Sequence, residues 1–74
     1  MIQVSFDYRR LRGKIRECFE TEANFAYALG IGRTSLSQRL NNHLQFTCDE
    51  VRRTCNLLNI SVEEIPAYFF AEKV

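Results

Sequence analysis

Residues 21–40, TEANFAYALGIGRTSLSQRL, predict two short helices joined by a tight turn. Thr21 stands before the first helix as a hydroxyl N-cap, which accepts a backbone N–H that has no partner inside the helix. Gly30 follows that helix, because glycine adopts the positive φ with which a chain leaves a helix and reverses. The apolar positions predict one buried face per helix: Phe25, Ala26 and Leu29 in the first, Ile31 at the turn, and Leu36 and Leu40 in the second.

The residue types at four of these positions resemble the helix-turn-helix of phage repressor and Cro-type regulators, the lambda-repressor-like family. The matching positions are small Ala26, Gly30, apolar Ile31 and apolar Leu36. Two helices that cross at such a turn need a small residue where their backbones approach, and Ala26 meets that need. The resemblance implies an all-α domain of four or five short helices, with the second motif helix in the major groove of operator DNA.

Helical patterns continue on both sides of the motif, so we expect residues 1–74 to form a single domain. Asp7 is an N-cap candidate for a first helix whose buried stripe is Tyr8, Leu11, Ile15 and Phe19. Thr47 and Glu50 have the spacing of a capping box that opens a fourth helix, which Asn59 ends. Ser61 and Glu64 repeat that spacing, but Pro66 limits the helix there to a single turn.

Both ends of the chain carry apolar residues that allow more than one interpretation. Ile2, Val4 and Phe6 alternate with polar residues, as a short strand or a mobile arm would. Near the other end stand three aromatic residues in a row, Tyr68, Phe69 and Phe70. They either close a small core or exceed what one face can bury, in which case the surplus forms a contact with a second copy or a partner. Tyr68 and Phe70 have the spacing to pair as a strand with the N-terminal residues.

Composition excludes several classes of protein. The chain of 74 residues is 46% hydrophobic and 26% charged, which is ordinary for a soluble globular domain. It has no apolar run of membrane-spanning length and no secretory leader, so we expect a cytoplasmic protein. Cys18, Cys48 and Cys55 form no C-x-x-C pair, and we expect free, mostly buried thiols. With a single histidine and no catalytic or metal-binding motif, we expect neither an enzyme nor a cofactor.

The half of the chain that contains the motif is the basic half. Residues 1–46 carry seven basic and four acidic side chains, whereas residues 47–74 carry three and five. This distribution favours a polyanion partner for the motif half, such as double-stranded operator DNA. The resemblance implies base contacts from Arg33, Thr34 and Gln38. We expect phosphate contacts from neighbouring polar residues: Ser35, Ser37, Arg39, Asn41, Asn42 and Gln45.

Two departures from the family pattern leave a second function open. Glu22 stands at the first motif position, where the family often has a phosphate-binding Gln, and His43 stands where it often has Lys. Fewer phosphate contacts lower the affinity for any DNA sequence. We predict a Cro-type repressor that binds its operator specifically, and the alternative is an antirepressor, a modulator that binds a partner phage repressor. In the second case the same outward face binds the repressor, with Arg33 or Arg39 pairing with its acidic groups.

Overall fold

A computed structural model describes residues 5–73, and over that range the fold is all-helical. Its elements are α1 (Arg9–Phe19), α2 (Glu22–Leu29), α3 (Arg33–Leu40), α4 (Cys48–Leu58), a turn of 3₁₀ helix (Val62–Glu64) and α5 (Ile65–Phe69). This confirms the predicted all-α class with four to five short helices. Ile2 and Val4, for which a strand was considered, lie outside the described residues. None of the helices within residues 5–73 combines the length and apolar character that crossing a bilayer requires.

The tight turn between α2 and α3 forms as the sequence predicts. The Thr21 side chain accepts the N–H of Asn24 at 3.1 Å and so caps α2. Gly30 ends the helix with φ of 84°, and its N–H returns to the carbonyl of Ala26 at 3.0 Å. The guanidinium of Arg53 in α4 donates to the Leu29 carbonyl, so a third helix holds this turn in place.

The core lies where α1, α2, α3, α4 and α5 meet. Its most deeply buried large side chains are Leu11, Ile15, Phe25, Leu29, Leu36, Leu58 and Phe69. Each fully buried side chain of this kind contributes about 1.5–3 kcal/mol of transfer free energy. The helical stripes predicted for α1, α2 and α3 therefore form one continuous apolar interior, which fixes the orientation of α3.

The boundaries of α2, α3 and α4 agree with the sequence patterns, whereas the start of α1 differs. Tyr8, not Asp7, is the N-cap residue, but the Asp7 carboxylate still accepts the N–H of Arg9 at 3.0 Å. The predicted capping box of α4 is present in full. Glu50 accepts the N–H of Thr47 at 3.0 Å and donates its own N–H to the Thr47 hydroxyl at 3.1 Å.

The C-terminal region differs from the strand considered for it. Tyr68 lies in α5, because Pro66 stands in the first turn, where its missing N–H is not needed. An antiparallel bridge instead joins Phe6 to Glu72. Two backbone hydrogen bonds flank it, from Asp7 N–H to Ala71 at 2.6 Å and from Lys73 N–H to Ser5 at 2.9 Å.

The prediction of mostly buried thiols is wrong. Cys18 and Cys48 are exposed and Cys55 is half-buried. Cys18 stands immediately before Phe19, beside the apolar stripe of α1 and not within it, and its side chain faces solvent. Cys48 is the first residue of α4, where the helix has just left the surface loop.

Candidate binding surfaces

The first candidate surface is the outward face of α3. Arg33, Thr34 and Gln38, the side chains for which base contacts are expected, are all exposed. Gln38 lies one turn beyond Thr34, so the two project from the same side of the helix. Base contacts by these residues remain a prediction.

Arg39, for which a phosphate contact is expected, is instead bonded within the fold. Its guanidinium donates to both carboxylate oxygens of Glu50, Nε at 2.8 Å and Nη2 at 3.0 Å. Its Nη1 donates to the Ser35 carbonyl at 2.9 Å. Only 14% of the Arg39 side chain and 11% of the Glu50 side chain are exposed. The pair joins α3 to α4 in the bidentate geometry that is strongest for Arg and carboxylate.

The same ion pair sets the protonation of Glu50. Burial alone disfavours the charged carboxylate, but the hydrogen bonds from Arg39 and from the Thr47 N–H outweigh it. The pKa of Glu50 therefore lies below its ordinary value, and the group is a carboxylate at neutral pH.

The amide side chains that follow α3 are also engaged. Asn41 donates to the Ser37 carbonyl at 2.9 Å and accepts from Arg12 at 3.2 Å. Asn42 bonds to the backbone of Phe6, 36 residues earlier. Phosphate contacts by these residues remain a prediction, and each such contact competes with a bond that the fold already makes.

The exposed arginine of α3 shares a cleft with two acidic side chains. Arg33 lines a cleft together with Glu20 and Glu22 of the α1–α2 region and Arg16 of α1. Glu22, at the first motif position, also accepts from Arg12 at 2.7 Å. With two carboxylates beside two guanidinium groups, this cleft carries no net positive charge with which to attract a phosphate backbone.

The second candidate surface is an apolar groove of about 390 Å³, which we call the aromatic groove. Its lining residues are Phe6, Tyr8, Gln45, Phe46, Cys48, Val51, Phe69 and Phe70. They come from both ends of the described chain and from the start of α4. Gln45, for which a phosphate contact is expected, is thus part of this groove.

Rings of the aromatic groove contact one another edge to face. Phe46 meets Tyr8 at a centroid distance of 5.6 Å and Phe69 at 5.4 Å. Phe6 meets Phe70 at 5.9 Å and, more tilted, Tyr8 at 6.2 Å. Edge-to-face contacts have a preferred geometry, so they restrict the orientation of each ring more than the burial of apolar surface does.

The three consecutive aromatic residues separate into three environments. Phe69 is 2% exposed and belongs to the core, whereas Phe70 is 55% exposed. Tyr68 is half-buried beneath the guanidinium of Arg10, which lies 5.8 Å from the ring centroid. Phe69 therefore closes the core, as the first interpretation expects, and Phe70 is left exposed. A contact of Phe70 with a second copy or a partner remains a prediction.

Sequence reasoning did not identify Phe6, Tyr8 and Phe46 as parts of a surface. Phe6 and Phe46 lie just before helices, outside any helical stripe, and the alternation of Ile2, Val4 and Phe6 did not indicate which residues Phe6 meets. Phe6 stands two residues before the N-cap of α1, and Phe46 stands one residue before the N-cap of α4. This shared position was the available signal that the two rings lie near helix starts. The sequence predicted the capping role of Glu50 and not its ion pair with Arg39, because the capping-box spacing involves only residues 47 and 50.

Metal ligands do not converge in the part of the chain from residue 5 to residue 73. No group of three His, Cys, Asp or Glu side chains there is arranged to hold an ion.

Comparisons with known proteins identify related sequences and structures. The model of a family described as "Protein of unknown function (DUF739)" matches residues 4–72. Among solved structures, the chain is similar to the solution structure of the modulator of repression (MOR) of the temperate bacteriophage TP901-1 from Lactococcus lactis. The two chains are 38% identical over 89% of each, with a TM-score of 0.80. No curated protein matches the sequence.

Proposed function

The chain belongs to the DUF739 family, and from that premise we propose that it is a phage or prophage regulator that binds a partner repressor and thereby modulates repression. The observation that carries the proposal is the likeness, at 38% identity over 89% of both chains, to a phage modulator of repression. The proposed activity is binding alone, without catalysis or a cofactor.

The aromatic groove is the surface that we assign to the repressor. Its walls are largely apolar, and the Phe70 ring at its edge is 55% exposed. Aromatic side chains are enriched among the residues that dominate protein–protein affinity, since they bury much area in few rotatable bonds. An apolar groove gains nothing from a polyanion, so this surface favours a protein over DNA.

The second candidate function is direct operator binding by α3, which the exposure of Arg33, Thr34 and Gln38 favours. Charge argues against it. DNA affinity depends on several neutralised phosphates, each from an available cation or donor. On α3, Arg39 is bonded to Glu50, which leaves Arg33 as the only arginine of this helix without an ion pair inside residues 5–73.

Two exposed aromatic residues provide a matched test of the proposed surface. Phe70 borders the aromatic groove, whereas Tyr27 is 89% exposed on α2. The chain is titrated by calorimetry against a repressor from the same phage or prophage genome. We expect Phe70→Ala to weaken binding about 30-fold, the effect of losing a residue worth about 2 kcal/mol. Tyr27→Ala and Arg33→Ala are expected to leave it within about threefold.

Three results would contradict the proposal. One is a wild-type chain that does not bind the repressor. Another is repressor binding that Arg33→Ala abolishes and Phe70→Ala leaves unchanged, which would move the contact to α3. The third is a specific mobility shift of the operator region by the chain alone at about 50 mM salt, where phosphate contacts are strongest. Sedimentation of the chain alone tells whether the groove binds a second copy instead.

A further inference from the structure

The side chain of Asn42 bonds to both backbone polar groups of Phe6. Its Oδ1 accepts the Phe6 N–H at 2.9 Å, and its Nδ2 donates to the Phe6 carbonyl at 3.0 Å. Asn42 follows α3 with φ of 65°, a conformation that Asn tolerates better than most residues. The turn after α3 is thereby joined to a segment 36 residues earlier in the chain.

The opposite edge of the same segment is held by the C-terminal region. Ser5 accepts from Lys73, and Asp7 donates to Ala71, on either side of the Phe6–Glu72 bridge. The backbone groups of Phe6 itself point away from this bridge, toward Asn42. The carboxamide thus takes the place of a neighbouring strand and completes the bonding of a segment that would otherwise present two unpaired polar groups.

The segment that Asn42 holds carries one wall of the aromatic groove. The Phe6 ring lies between Phe70 and Tyr8 and contacts both. Its half-buried side chain packs on the edge of the core, without a helix to fix its backbone. The position of this wall therefore depends on hydrogen bonds to the backbone of residues 5–7.

We infer that Asn42 is a positioning residue for partner binding: by holding the Phe6 backbone it preorganises the aromatic groove for the repressor. The inference rests on the proposed function of that groove. Holding the backbone that carries Phe6 in place before binding removes part of the ordering cost of association. Losing the two bonds is expected to weaken repressor binding by up to about tenfold.

The test compares Asn42→Gly with Asn59→Gly. Asn59 ends α4 with φ of 56°, so both substitutions place glycine in the same left-handed conformation. Only Asn42 bonds to Phe6, and Asn59→Gly is the control for backbone effects. We expect Asn42→Gly to weaken repressor binding up to about tenfold and to accelerate exchange of the Phe6 amide proton. Asn59→Gly is expected to change neither. Asn42→Asp, which retains the acceptor and loses the donor, is expected to fall between wild type and Asn42→Gly.

A second measurement separates positioning from general stability. If Asn42 acts through Phe6, Asn42→Gly has no further effect on affinity in a Phe6→Ala background. Additive losses in the double variant would overturn the inference, as would equal losses from Asn42→Gly and Asn59→Gly. If the wild-type chain does not bind the repressor, the proposed function fails. Exchange of the Phe6 amide proton then still decides whether Asn42 holds this segment.

Discussion

The outward face of α3 and the aromatic groove differ in how much of their lining is available to a partner. On α3 and the turn that follows, Arg39 is bonded to Glu50, Asn41 to Arg12 and Asn42 to the Phe6 backbone. In the groove, the Phe70 ring is more than half exposed. A polar side chain that is satisfied inside the fold must exchange one bond for another when it binds. An exposed ring leaves only water, so its burial is a net gain.

The largest expected effect separates core from surface within the aromatic cluster. Phe69→Ala removes a fully buried ring and is expected to lower the free energy of unfolding by about 3–5 kcal/mol, much of what a small domain has. Phe70→Ala is expected to lower it by less than about 1 kcal/mol, because more than half of its ring already contacts water. Urea unfolding followed by circular dichroism measures both. Similar losses would mean that Phe70 belongs to the core and is not available to a partner.

The next effect tests whether α3 depends on its inward bonds. Glu50→Ala breaks the ion pair to Arg39 and the carboxylate half of the α4 capping box, and we expect the free energy of unfolding to fall by about 2–4 kcal/mol. Asp49→Ala is the matched control, since Asp49 is a neighbouring exposed acid that pairs with Arg52 and Arg53. Removing Asp49 is expected to lower the free energy of unfolding much less than removing Glu50, because both ion pairs of Asp49 are exposed. If Glu50→Ala and Asp49→Ala lower the melting temperature equally, the Arg39–Glu50 ion pair does not hold α3, and Arg39 is available to a partner.

A smaller effect is expected in the pH dependence of stability. The pKa of Glu50 in the folded chain is below its ordinary value of 4.5. Its ionisation therefore stabilises the fold above that pH, and this contribution is lost as the pH falls through the folded-state pKa. Between pH 6 and pH 3, wild type is expected to lose more stability than Glu50→Gln, which cannot ionise. Parallel curves for the two would contradict the assigned role of the carboxylate.

The smallest effect concerns DNA. We expect only weak, non-specific binding of the chain to duplex DNA, with a shallow dependence on salt. Arg33→Ala is expected to reduce the slope of log affinity against log salt by about 1, the value for one phosphate contact. Arg39→Gln is expected to leave that slope unchanged. A steep dependence of DNA affinity on salt, reduced by both Arg33→Ala and Arg39→Gln, would mean that both arginines contact DNA. The α3 face would then be as available to a partner as the aromatic groove.

Local patterns predicted the helices well because their causes are local. The Thr21 cap, the positive φ at Gly30 and the capping box of Thr47 and Glu50 each depend on residues within four positions of one another. The predicted phosphate contacts assumed that polar side chains on a short helix point to solvent. That assumption fails to anticipate Arg39, whose partner Glu50 lies on another helix 11 residues later.

The aromatic groove was harder to predict for the same reason. Its walls meet only through pairings such as Phe6 with Phe70 and Tyr8 with Phe46, which no spacing in the sequence encodes. The surplus of aromatic residues near the C-terminal end correctly indicated that one ring stays exposed. Which ring supplies the surplus depends on how Pro66 sets the start of α5, and that requires the three-dimensional arrangement.

The aromatic groove forms late in folding, because its walls lie far apart along the chain. Residues 6–8, 45–51 and 69–70 must all be in place, so the groove depends on the contacts of highest sequence separation in the fold. Helices and the α2–α3 turn form from local contacts, which are fast, whereas the Phe6–Glu72 bridge closes a loop of nearly the whole chain. During synthesis the α3 face can therefore form while the groove is still incomplete. A chain that is released before residues 69–70 are in place lacks Phe69, which closes the core, as well as the surface proposed for the partner.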